Sequence, residues 1–302
     1  MSDIIAILAA DFHLSLHPPI WRSVEKDWLG VMKHALLQIH DLQQQFECPI
    51  LCGGDIFDRW NAPPELINWA LQWLPDNVWS VAGQHDLPLH QLKDIEKSAY
   101  WTLACAEKIR HLTKPTLIPG CDWVVYPFHY GQKIIRNKKS NNSIALIHKY
   151  VWIAGHEYSG ARLEDKLKGK SHEKWKGYDV AVFGDNHNGF IKIMSKSTIF
   201  NCGTLLRRKS NEKEYCPQVG LLRKDGQVDP HWLDTKRDKY LNLENDGLFH
   251  KETKDVREFF QCLEELGTTS LDFAQAVKEY LQTAKVDENV KRVILKSLEN
   301  IL

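Results

Sequence analysis

Three observations predict an α/β fold. Short apolar runs that read as buried strands recur over the first three quarters of the chain. Stretches with helical apolar spacing fall between them, the alternation expected of strands covered by helices. Five of the apolar runs end in carboxylates, imidazoles or amides. The plainest is Leu51-Cys52-Gly53-Gly54-Asp55-Ile56-Phe57-Asp58-Arg59, where a buried strand gives way to two glycines and a carboxylate. Glycine there lets backbone approach closely.

Taken in order, Ile4 to Ala10 is the first strand and delivers Asp11-Phe12-His13. Apolar positions at Val24, Trp28, Val31, Ala35, Ile39, Leu42 and Phe46 predict a helix over 21–46. The second strand, Pro49 to Cys52, delivers Asp55. Pro63-Pro64 opens a helix over 65–73, because proline suits a first helical turn. Val78 to Ala82 is a strand ending in Gly83-Gln84-His85-Asp86, and 98–108 reads as helix. Short strands follow at 116–118 and 123–126. Ile144 to Ile147 ends in His148, and Val180 to Phe183 ends in Gly184-Asp185-Asn186-His187. Two hairpins are expected, 190–193 with 198–200 and 219–223 with 228–233.

Beyond about residue 235 the pattern turns helical. Val256, Phe259, Phe260, Leu263 and Leu266 form one stripe. Phe273, Ala274, Val277, Tyr280 and Leu281 form a second behind a capping box, and Val286 to Ile301 a third. The expected organisation is therefore a domain over 1–235 and a helical region over 236–302.

The 302 residues suffice for one large domain with an appendage. Formal net charge is zero, so the whole-chain balance selects no partner. No apolar run approaches the length of a membrane span, and the N-terminus has no basic leader pattern. Seven scattered cysteines without a Cys-x-x-Cys predict free thiols in a reducing, cytoplasmic setting.

Asp11, His13, Asp55, Gln84, His85, His148, Asp185 and His187 all stand at or just past strand ends. Each alone is an ordinary polar turn. Together they converge if the strands lie side by side, since ligands of open α/β sheets bind at strand carboxyl ends. The donors are carboxylate, amide and imidazole without thiolate, which suits Mn²⁺, Fe or Zn²⁺ in a reactive site rather than structural zinc.

The series Asp-x-His, Gly-Asp-x-x-Asp-Arg, Gly-x-His-Asp, His and Gly-x-x-His resembles the calcineurin-like metallophosphoesterase superfamily. Phe200-Asn201-Cys202-Gly203-Thr204-Leu205-Leu206-Arg207 further resembles the SbcD-type DNA repair exonucleases. The resemblance implies a four-layer α/β/β/α sandwich with two divalent metals that activate a hydroxide against a phosphodiester. Asp11, His13 and His187 would hold the first metal, Asp55 would bridge both, and His148 would hold the second. His85 would serve the leaving oxygen, with Asp86 orienting its imidazole.

Two positions depart from the family pattern. Gln84 stands for asparagine and Asp185 for histidine, both at the second metal. These harder oxygen donors favour Mn²⁺ or Mg²⁺. They equally admit a non-catalytic binding subunit with a degenerate second site. The stretch 133–176 carries eleven basic against four acidic residues, including Lys138, Lys139 and Lys149. Arg207 and Arg208 follow the last metal loop. These charges point to a phosphate backbone, hence DNA, although a nucleotide or phosphoprotein substrate remains open. Residues 236–302 hold eleven basic and thirteen acidic residues, which argues against DNA there. They are expected to pack on one another, to self-associate, or to dock a protein such as the ATPase with coiled-coil arms that the SbcD-type resemblance implies.

Overall fold

The computed structural model describes residues 3–137, 142–158, 160–167, 175, 177–194 and 197–241, with 281 and 291. Lys138, Lys139 and, residues 281 and 291 apart, the expected tail helices lie outside the described residues. The chain divides into two compact units, Met1–Leu241 and Asn242–Leu302. The first carries every element that follows.

Strand β1 (Ile4–Ala9) is fully buried. Helix α1 (Trp28–Phe46) starts later than its apolar spacing predicts, because the Asp27 side chain accepts from Gly30 N and caps it. Such a cap contributes ~1 kcal/mol and outweighs a single apolar position at Val24. Residues Ile20–Arg22 form a 3₁₀ turn instead. Strand β2 (Ile50–Cys52), helix α2 (Pro64–Trp73) and strand β3 (Val78–Ser80) follow as expected. Helix α3 (Ala99–Cys105) is capped by Ser98, whose side chain accepts from Trp101 N. It gives way to an unexpected strand, β4 (Ile109–His111), of which only Ile109 is buried. Three residues with one inward side chain leave no readable alternation. The remaining strands are β5 (Thr116–Leu117), β6 (Val124–Phe128), β7 (Ser143–His148), β8 (Val180–Gly184), β9 (Phe190–Met194), β10 (Ser197–Asn201), β11 (Gln218–Arg223) and β12 (Val228–Trp232).

They form two mixed sheets of six strands, ordered β12-β11-β1-β2-β3-β4 and β5-β6-β7-β8-β10-β9. Both expected hairpins pair antiparallel. Strands β1, β2, β3 and β4 run parallel, as do β6, β7, β8 and β10. Parallel strands deliver their carboxyl ends to one edge, so each sheet offers one row of loops.

Side-chain alternation assigns the layers. Ile50 and Cys52 face the helices, packing with Met32, Leu36, Ile39, Leu66 and Leu103, while Leu51 faces the other way. Leu51 joins Leu8, Trp79, Ile144, Leu146, Val180 and Val182 in the core between the sheets. On β7 and β8 the alternate residues Ala145, Ile147, Ala181 and Phe183 face outward and are covered by Val151, Leu167 and Trp175. A bulge between Ile4 and Ala6 explains why Ile5 and Ala6 both enter the inter-sheet core. The result is the expected α/β sandwich: helices on one sheet, a sheet-on-sheet core, and an outer cover containing the 3₁₀ turn Leu163–Asp165.

The first unit continues past residue 235 as a strap. Arg22, fully buried, pairs with Asp238 at 2.9 Å and Glu25 at 2.8 Å, and donates to the Lys239 carbonyl at 2.9 Å. Arg207 donates to Asp238 and to the Thr235 carbonyl.

Candidate metal centre

Two loops, one after β1 and one after β2, are laced together. Asp11 N donates to Gly54 O, His13 N to Asp55 O and Leu14 N to Ile56 O, at 2.9–3.0 Å. These bonds hold Asp11, His13 and Asp55 at φ of 54°, 45° and 55°, left-handed values that side chains rarely adopt. Such backbone persists only where its surroundings over-determine it.

Asp86 supplies part of that constraint. Fully buried, its carboxylate accepts from Asp55 N, Ile56 N, Phe57 N and Gly83 N at 2.8–3.3 Å. Burial, helped by the Asp55 charge, pushes its pKa up to about 7. Asp86 was expected to orient His85 and does something else: it anchors the loop beneath the site. The group on His85 Nδ1 is the Asp58 carbonyl, at 2.7 Å.

Asp55, His148 and Gly83 crowd at the centre. A Cβ on Gly83 would lie 2.1 Å from Asp55 Oδ1, and one on Gly54 2.6 Å from His148 Nδ1. Only glycine allows the loops of the two sheets to meet this closely.

Three groups of side chains bring ligand atoms within 4.8 Å of one another: Asp11 with His13 and His187, Asp11 with Asp55 and His148, and His13 with Asp55 and His85. The Nε2 atoms of His13 and His187 face each other at 3.0 Å. Burial and the nearby Arg208 charge hold the His13 pKa well below its usual value, which keeps its lone pair available. Burial pushes Asp11 well above the carboxylate range. Asp55 Oδ1 accepts from His85 N at 2.9 Å. Asp55 Oδ2 is buried without a hydrogen-bond partner, 3.9 Å from His13 Nε2 and 3.5 Å from His148 Nε2. A desolvated carboxylate oxygen without a hydrogen-bond partner is costly unless a cation meets it. That orphan oxygen, with imidazoles on both sides, suits a divalent cation, which Asp55, His13 and His148 would help to hold.

This fit has a match in sequence. The chain aligns with the calcineurin-like phosphoesterase family over residues 9–189. It belongs to that family. The family is a dimetal-dependent group of phosphoric ester hydrolases, so this phosphoesterase is a metal-binding hydrolase by membership. No curated protein matches the chain. Among solved structures, an archaeal phosphodiesterase is 14% identical and covers 76% of this chain and 99% of its own, with a TM-score of 0.37. A sulfate thiohydrolase SoxB of Thermus thermophilus is 12% identical, with 89% and 61% covered and a TM-score of 0.49. A putative 5′-nucleotidase of Staphylococcus aureus is 11% identical, with 85% and 58% covered and a TM-score of 0.40.

In the phosphoesterase the two departing residues bond to each other. Gln84 Nε2 donates to Asp185 Oδ1 at 2.8 Å, and Gln84 Oε1 faces His148 Nε2 at 2.6 Å. Asp185, at φ 91°, falls in none of the three ligand groups among the described residues. Its backbone N–H donates to both Asp11 oxygens at 3.1 Å. His148 Nδ1 lies 2.5 Å from Gly53 O. Burial alone would lower the His148 pKa, but Asp55, Asp185 and Asp11 carry it up to about 10. Asp55 is held at about 2: burial raises it, and His148 with His85 more than offset that.

The basic residues are placed unevenly. Lys149 is 42% exposed at its side chain, 3.9 Å from Asp165. Arg207 is bonded into the strap. Arg208 lies 2.5 Å from Asp58 Oδ1, in the same wall as His13 and His85. Two residues of the site were not assigned from sequence. Asp58 was visible as the second aspartate of Gly-Asp-x-x-Asp-Arg. Glu212, whose Oε1 lies 3.2 Å from His187 Nδ1, carries no sequence signal.

Proposed function

We propose that this phosphoesterase is a DNA nuclease of the SbcD-type repair class, cleaving phosphodiester bonds with Mn²⁺. One observation carries the reading. The Gly203-Thr204-Leu205 turn, which bears the SbcD-type resemblance, is built into the site. Leu205 N donates to Asp11 O at 3.2 Å, Thr204 N to His187 O at 3.0 Å, and the Thr204 hydroxyl reaches Asp11 O. Bound ions would supply charge neutralisation for the phosphoryl oxygens and acidify water. The chain's own residues do the rest. Asp11, His13 and His187 present one ligand set, and Asp55 and His148 the other. Nδ1 of His85 donates to the Asp58 carbonyl, so His85 can give a proton to the leaving oxygen from Nε2 when both ring nitrogens carry one. Lys149, beside His148, faces solvent where a phosphate backbone would pass.

A nucleotide or small-diester substrate is the second reading, and the arginines favour it. Arg207 and Arg208 are paired internally, which reduces the positive charge open to a long DNA backbone. Assays with Mn²⁺ on linear, plasmid and single-stranded DNA, on 5′-nucleotides and on bis-p-nitrophenyl phosphate separate the two. DNA cleavage that weakens steeply with salt supports the nuclease. Turnover of small esters alone supports the second reading, and no turnover of any substrate supports a binding subunit. Association with an ATPase-type partner, or with itself, through residues 236–302 belongs to the same proposal. Light scattering and pull-down on the full chain and on a chain ending at Leu241 test it.

A further inference from the structure

Glu212 closes the 3₁₀ turn Ser210–Glu212 and is 3% exposed. Its carboxylate works in two directions. Oε1 lies 3.2 Å from His187 Nδ1, while Oε2 accepts from Arg208 N at 2.5 Å and Lys209 N at 2.9 Å. Glu212 belongs to none of the ligand groups among the described residues. The next link is Arg208, whose main chain Glu212 holds and whose guanidinium lies 2.5 Å from Asp58 Oδ1. Asp58 in turn lies 3.7 Å from His13 Nδ1 through Oδ1, and 2.7 Å from His85 Nδ1 through its carbonyl oxygen. A continuous chain of contacts thus runs from His187 through Glu212, Arg208 and Asp58 to His85.

We infer that Glu212 is a positioning residue for the first metal site, and that Arg208 carries the same constraint on to Asp58 and His85. The physical reason lies in the tautomer. An imidazole that donates from Nδ1 to a carboxylate must present its Nε2 lone pair, and His187 Nε2 is the atom that faces His13 Nε2 at 3.0 Å. A turn could be capped by a carboxylate in solvent. This one is desolvated, and its second oxygen is on the ligand histidine, an arrangement whose cost needs the imidazole partner. Anchoring the Arg208 backbone also fixes where its side chain begins, so the Asp58 pair and the His85 ring inherit the position of the same loop.

The inference rests on the metal-dependent reading and not on the choice of DNA over other esters. The test uses full-length, metal-stripped protein titrated with Mn²⁺ by calorimetry, with melting of the metal-free protein measured alongside. Glu212→Gln keeps the shape and removes the charge. It is expected to weaken the tighter Mn²⁺ step roughly 10- to 100-fold. Arg208→Ala is expected to lose less Mn²⁺ affinity than Glu212→Gln. It should lower kcat on substrates with poor leaving groups more than on p-nitrophenyl esters, because its reach is to the proton donor. A Glu212→Gln protein that melts lower but binds Mn²⁺ like the wild type would reduce Glu212 to a turn cap and overturn the inference. So would an Arg208→Ala loss that is equal on both substrate types. Should the variants not fold, ring-nitrogen NMR of His187 in the Zn²⁺-loaded wild type decides: a proton on Nδ1 supports the inference and one on Nε2 overturns it. A wild-type protein that binds no divalent ion overturns the metal-dependent reading itself, a separate outcome.

Discussion

The two halves of the metal centre are built on opposite principles. On the side of Asp11, His13 and His187, imidazole nitrogens face one another at 3.0 Å with no side chain between them, and Glu212 stands behind one of them. On the side of Asp55 and His148, His148 Nε2 is already matched: Gln84 faces it with its oxygen and Asp185 with its amide. The first half offers lone pairs to an incoming cation. In the second, a cation would have to compete with Gln84 for His148 Nε2. Gln84 and Asp185 are therefore a bonded pair, expected to act together. The extra methylene of glutamine gives the reach that lets its amide meet the shorter aspartate.

The largest expected effect comes from removing what the halves share. Asp55→Asn should abolish hydrolysis of every substrate, because Oδ2 is the oxygen that both histidine sets approach. Rate and metal content should be read together, and wild-type turnover with metal bound would end the bridging role. Next is His85, the proposed proton donor, which belongs to neither half. His85→Ala should retain metal and lose roughly 10²–10⁴-fold in rate on poor leaving groups, with a smaller loss on nitrophenyl esters. Equal losses on both would count against proton donation.

A smaller effect is expected from the difference between the two halves. Mn²⁺ titration of the wild type should show two unequal steps, and two equal ones would break the contrast. Asp185→His and Gln84→Asn should each perturb the weaker step and the Mn²⁺/Mg²⁺ preference, and the double variant should recover part of the loss. Residues in contact typically couple by roughly 0.5–3 kcal/mol, so strict additivity would mean the pair does not act as one unit. The smallest effect lies away from both halves. Asp238→Ala should lower stability by less than the roughly 3–5 kcal/mol of stripping a buried charge, because Glu25 remains with Arg22. Thermal melts check this. The same contacts imply that a chain cut at Lys236 is less stable than one ending at Leu241.

The fold class, most strands and the convergence of the site were readable from residue order alone. Buried strands write their alternation and their polar ends directly into the chain: Ile4 to Asp11, Leu51 to Asp55 and Ile144 to His148 are each legible in isolation. Gly54 was legible because close backbone approach favours glycine, whereas the crowding at Gly83 comes from Asp55 and His148, both distant in sequence. Where local caps outweigh periodicity the sequence misled, as at Asp27, which starts α1 later than its apolar pattern suggests. Roles that depend on contacts across long separations emerged once the chain was folded. Asp86 looks like a partner for its neighbour His85, yet it binds the backbone at residues 55–57 and 83. Glu212 lies 25 positions from His187 in a turn with no periodic signal. Arg207 and Arg208 read as free charge for a phosphate backbone until Asp238 and Asp58, distant in sequence, appear opposite them. Residue type reports what a side chain is able to bind. Which partner it meets is set by how the two sheets and their loops close on one another.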